Sequence, residues 1–124
     1  MTRSLWSTLC AVLLLAAWAI VAWLSWQAIA TMGASTAGDV FFGDMAHSWR
    51  AQSNTDFGLH LLLIAAWMIY RVDNVAIGLI TTVLAVLLGG AFTFAYLSYL
   101  VWISRGDMRA VLLGRHHAAS GVRA

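Results

Sequence analysis

With 124 residues, 62% hydrophobic and 10% charged, the chain carries more apolar mass than a soluble fold of its size can bury. Soluble domains run at about 45–50% apolar and about 25% charged, and small ones bury only about two-thirds of their unfolded surface. An ordinary soluble enzyme, a disordered tail and a disulfide scaffold are therefore excluded, which leaves one small integral membrane domain.

The net charge of +2 comes from seven arginines and five aspartates. Their bias against Lys and Glu fits a GC-rich bacterial genome. The arginines form no basic stripe, so nucleic acid is not an expected partner; they mark membrane edges instead. Proline is absent, which fits long unbroken helices and argues against the broken helices of many transporters. The one cysteine, Cys10, cannot form an internal disulfide.

The first element is the apolar run Leu5 to Ala30, 26 residues, or about 39 Å of helix against a bilayer core of about 30 Å. It is too long for the apolar core of a signal peptide, about 7–15 residues, and Trp18, Trp23 and Trp26 are poor residues for one. It reads as a first transmembrane helix behind Arg3; cleavage near Thr31–Ser35 is the alternative. Residues 33–54 form a connection. Gly33 to Gly38 reads as a flexible start. Phe41, Met45 and Trp49 then recur every four residues, the period of a short helix lying in the membrane interface; a polar loop is the alternative.

Asn54-Thr55-Asp56 predicts a helix start, because these side chains accept backbone N–H bonds. The second span follows over 55–71. Its uncharged part, Phe57 to Tyr70, has 14 residues, about 21 Å. That is short, and requires extension through Ala51–Thr55 or a locally thinned bilayer; a re-entrant or core-buried helix is the alternative. Arg71 to Asn74 reads as a tight turn. The third span, Val75 to Ser104, has 30 residues. Two spans would need about 40 residues plus a turn, so one long helix is expected, tilted, bent near Gly89-Gly90 or projecting from the membrane. Tyr96, Tyr99 and Trp102 would form an aromatic belt. In the tail, 106–124, Asp107 would cap a second interfacial helix ending at Gly114, with Met108, Val111 and Leu112 toward lipid. Residues 115–124 are expected to fray.

Three spans place the termini on opposite sides. With the N-terminus outside, Arg50, Arg105, Arg109, Arg115 and Arg123 fall inside, against Arg3 and Arg71 outside, and the positive-inside rule favours that orientation. The expected location is the bacterial inner membrane.

Gly78, Thr82, Ala85, Gly89 and Thr93 recur at three or four residues, a face on which helix backbones can approach closely. It would pack against the other helices, or dock a membrane protein partner or a second copy. Asp56 and His60 stand one turn apart, and ionisable groups near the bilayer invite a functional reading; a cap with a locally bonded histidine is the plainer one. If the connection folds over the second span, Asp44, His47, Asp56 and His60 could converge on a divalent metal. No haem pair, phosphate loop, nucleophile elbow or cysteine cluster is present, so neither catalysis nor a cofactor is expected.

Asp56-Phe57-Gly58-Leu59-His60-Leu61-Leu62, Trp67, Arg71, the run Leu88 to Leu97 and Arg105-Gly106-Asp107 together resemble small bacterial membrane proteins of unknown function, over residues 55–115. The resemblance implies a three-helix architecture in a bacterial inner membrane and carries no activity. The expected function is a non-catalytic membrane subunit or accessory factor acting through helix contacts in the lipid bilayer. The alternatives are an oligomeric transport or proton-handling protein using Asp56 and His60, and a metal or cofactor binder.

Overall fold

The structure is a computed structural model that describes residues 5–43 and 45–117. Arg3, Asp44, Arg123 and the other residues after His117 lie outside the described residues; of the stretch 115–124 expected to fray, 115–117 are described and bonded to the chain. The chain folds as α1 (Leu5–Met32), a single 3-10 turn (Ala34–Thr36), α2 (Ala37–Gly43), α3 (Ser48–Arg71), α4 (Val75–Leu88), α5 (Gly90–Ile103) and α6 (Met108–Leu113), with no strand among the described residues. The all-helical class follows from the composition. Among the described residues only α1, 28 residues long, is by itself long and apolar enough to cross a membrane; α4 and α5 have 14 residues each.

The helix expected to start at Asn54 starts at Ser48, with His47 in the cap position and no side chain closing it. Asn54 sits inside α3, where its Nδ2 donates to the Phe41 carbonyl at 2.7 Å. A tertiary partner has taken the amide that a local cap would have used. Trp49 therefore belongs to α3 and not to an interfacial helix with Phe41. At 24 residues α3 is about 36 Å long.

The expected single helix over 75–104 is two helices. Arg71, at the end of α3, donates from Nη1 to the Tyr96 hydroxyl at 2.9 Å. A straight helix from Val75 would carry Tyr96 about 31 Å away, beyond the reach of an arginine side chain. The chain reverses at Gly89, whose φ of 54° and ψ of −130° only glycine adopts readily. The Gly89 N–H closes α4 on the Ala85 carbonyl at 2.8 Å, and the Gly89 carbonyl accepts from Thr93 N–H at 3.0 Å to open α5. The length rule misled because it assumes full-length crossings, whereas each arm is only about 21 Å long.

The helices pack as two antiparallel pairs, α3 with α4 and α1 with α5. In the first, Phe57 reaches Gly89, the Thr82 hydroxyl donates to the Ala65 carbonyl, and Gly78 rests on Ile69. In the second, Val21 lies against Gly90 and Ser7 against Gly106. Chain direction thus alternates through α1, α3, α4 and α5. The start of α1 and the tail meet at one end of the bundle, so the described termini do not lie on opposite sides.

Leu100, Val101 and Val111 form the core at that end, with Ala11, Leu14, Trp67 and Tyr96 packed around them. Val111 is 1% exposed, so it covers protein and not lipid as the sequence suggested, while Met108 and Leu112 stay exposed. Asp107 accepts from the Arg109 and Ala110 N–H groups, and Gly114 ends α6 at φ 52°. A β-carbon on Gly114 would overlap the Arg71 carbonyl oxygen. Gly114→Ala should therefore cost about 1–3 kcal/mol from the backbone conformation alone. Hydrogen exchange should quicken across α6 while α1 stays protected; unchanged exchange would show that α6 does not dock this way.

Candidate functional site

The densest polar constellation among the described residues joins α3, α5 and α6, and the sequence reading missed it. Arg71 Nε donates to the Val111 carbonyl at 3.1 Å, and the Trp67 indole N–H donates to the Leu112 carbonyl at 3.0 Å. The guanidinium lies 5.6 Å from the Trp67 ring centroid and 5.8 Å from that of Tyr96. The Arg115 N–H donates back to the Arg71 carbonyl at 2.9 Å. These bonds occupy the last carbonyls of α3 and α6, which a helix end leaves without intrahelical partners. Beyond them the His116 ring stacks on Tyr70 at 4.2 Å, and His117 Nε2 lies 3.4 Å from an Asp107 carboxylate oxygen. The one sequence signal was the Trp67–Arg71 spacing of one turn at a helix end. Arg71 Nε and Nη1 and the Trp67 indole N–H are all turned onto the chain itself, so the cluster ties α3, α5 and α6 together.

The predicted small-residue face is divided by the chain reversal. Gly78 and Ala85 are buried in α4, and Thr82 bonds α3. Gly89 is the turn itself, and Thr93 lies on α5, so the five do not form one helix face. Thr93 is 8% exposed, and its hydroxyl has no hydrogen-bond partner among the described residues.

Asp56 and His60 do meet, one turn apart on α3. A carbonyl can only accept, so the His60 Nδ1–H donates to the Asp56 carbonyl at 2.8 Å. The carboxylate lies 3.6 Å away, and both side chains are more than half exposed. The hollow beside Asp56 is lined by α3 residues alone; it is a surface furrow and not a passage between helices. Of the proposed metal set, Asp44 lies outside the described residues. Among the described residues no three His, Cys, Asp or Glu side chains gather around a point, so His47 does not join Asp56 and His60.

At the other end of the bundle α1 and α3 run on past the Gly89 reversal. Val21 is level with Gly90 and Phe57 with Gly89, so α1 continues for about 16 Å and α3 for about 13 Å. With the turn at 34–36 and α2 they line a half-open pocket of about 360 Å³. Its wall is mainly apolar, and Arg50, Asn54 and Thr36 are its polar side chains. The Thr36 hydroxyl bonds back to the Gly33 carbonyl at 2.8 Å.

No family model, curated protein or solved structure matches the chain.

Proposed function

We propose that this chain is a multi-pass membrane protein of a bacterial inner membrane that serves as a non-catalytic subunit or accessory factor through helix contacts. The observation that carries the reading is the apolar flank. Among the described residues only six apolar ones are buried, while Leu13, Ile20, Leu63, Ile80, Leu87 and many like them stand exposed. The accessible surface is 9126 Å², against about 6,500 Å² for a compact soluble monomer of this mass. Exposed apolar area on this scale belongs against lipid or another protein.

Three apolar segments lie side by side with matched lengths, Phe57 to Tyr70, α4 and α5, each of 14 residues. They define a slab of about 21 Å, thinner than the usual core of about 30 Å, so we infer that the bilayer thins around the bundle. This replaces the three-span scheme with one long crossing helix and three short segments. Of the described arginines, Arg71, Arg105, Arg109 and Arg115 lie at the end that holds the start of α1, and Arg50 lies at the other. The positive-inside rule then puts both described termini in the cytoplasm.

Single cysteines at Ser48 and at Arg109, each in a Cys10→Ser background, test the topology in intact cells. A membrane-impermeant thiol reagent should label the first and not the second; the reverse pattern would overturn the orientation. Native mass spectrometry after gentle extraction tests the role. Stoichiometric protein mass, from a second copy or another membrane protein, supports it, and a lone monomer at natural expression level would end it.

A further inference from the structure

The cavity at the Arg50 end lies beyond the slab that α3, α4 and α5 share. The slab ends at the level of Gly89 and Phe57, and the half-open cavity is lined by the parts of α1 and α3 past that level, with α2. The polar headgroup layer of a bilayer begins there. Trp23 and Trp26 on α1 and Trp49 on α3 stand exposed at the same end, the usual position of interfacial aromatics. A pocket at this depth opens where phospholipid headgroups and the first carbons of their chains meet.

Its lining matches that boundary. Ile29, Met32, Val40 and Phe41 supply apolar wall, and Arg50 and Asn54 supply the polar part. Asn54 spends one N–H on the Phe41 carbonyl at 2.7 Å, which ties α2 to α3 and holds the cavity open. Arg50 is already engaged within the chain, but a guanidinium has five N–H donors in a planar fork, and that fork suits a phosphate oxygen pair. Among the described residues no carboxylate lines the wall. The volume is at the small end of ligand pockets, about 300–1,000 Å³; it admits a headgroup with the start of one chain, not a whole lipid.

We propose that this cavity is a phospholipid site, with the phosphodiester on Arg50 and the start of one acyl chain against Ile29, Met32, Val40 and Phe41. The proposal rests on the membrane reading above, which the thiol-labelling pattern tests separately. An apolar ligand without phosphate would offer the guanidinium no acceptor, and free phosphate would leave the apolar wall wet. A phospholipid satisfies both parts of the lining.

The experiment is native mass spectrometry of the full chain in detergent, after delipidation and titration with phosphatidylethanolamine or with diacylglycerol of the same acyl chains. One phosphatidylethanolamine should bind per chain and diacylglycerol should not. Arg50→Gln should weaken binding by about tenfold or more, the size of one charge-assisted hydrogen bond. Ala37→Leu, which fills the cavity from α2, should abolish binding with helical content unchanged, and it decides the matter if Arg50→Gln misfolds. Equal retention of the two lipids, binding of inorganic phosphate as tight as that of phosphatidylethanolamine, or undiminished binding in a folded Ala37→Leu protein would each overturn the proposal.

Discussion

Arg71→Ala is expected to undock α6 and to lower the stability of the bundle by about 3 kcal/mol. The side chain makes two charge-assisted bonds, to the Val111 carbonyl and to the Tyr96 hydroxyl, and such bonds contribute about 1.5–3 kcal/mol each. It also lies over the Trp67 and Tyr96 rings, worth about 0.5–1 kcal/mol per pair at an exposed site. These contributions share one group and will not add in full. Removal leaves the Val111 carbonyl without its donor, and Tyr96 loses the partner that ties α5 to α3. Arg71→Lys should recover less than half, because a single ammonium lacks the planar fork that donates in two directions while stacking on rings. Hydrogen exchange over 108–117 and thermal unfolding in detergent would measure both effects. Protection of α6 that survives Arg71→Ala would mean that the burial of Val111 alone holds it.

The same cluster shows why part of the fold was legible in the sequence and part was not. Helix existence was legible because it rests on local facts: apolar runs, absent proline, the Asp107 cap and the Gly114 stop. The start of α3 was not. Asn54 has the chemistry of a cap, but its partner is a carbonyl thirteen residues away, and a long-range bond leaves no local pattern. The docking of α6 was hidden for the same reason. Met108, Val111 and Leu112 form an apolar stripe that reads equally well as facing lipid or protein. The contact of Val111 with Leu100 and Val101 decides for Val111 alone; Met108 and Leu112 stay exposed. The small-residue spacing from Gly78 to Ala85 was legible as a close-packing surface, yet nothing in that spacing told a bend at Gly89 from a reversal. A bend leaves three long passes of the chain and a reversal four, so the relative placement of the described termini hung on one dihedral pair.

Gly89→Ala is accordingly the substitution with the most to decide, and its sign is the test. In a continuous helix from Val75 to Ser104, alanine at this position would stabilise by about 1 kcal/mol over glycine. In the reversed chain, Gly89 holds φ 54° and ψ −130°, a region where a side chain costs about 1–3 kcal/mol. The β-carbon itself would meet only Phe57, at 3.5 Å, so the cost comes from the backbone and not from crowding. Two neighbours serve as controls. A β-carbon on Gly90 would meet the Phe94 ring at 3.0 Å; that flexible side chain can turn aside, so Gly90→Ala should be the milder change. Gly58 lies within α3 with nothing inside 4 Å, and Gly58→Ala should stabilise by about 0.5–1 kcal/mol. Thermal unfolding of the three variants in one detergent would rank them Gly58→Ala above wild type, Gly90→Ala at or slightly below it, and Gly89→Ala lowest. If Gly89→Ala instead rises with Gly58→Ala, α4 and α5 are one helix, and the pairing of Arg71 with Tyr96 must be given up with the reversal.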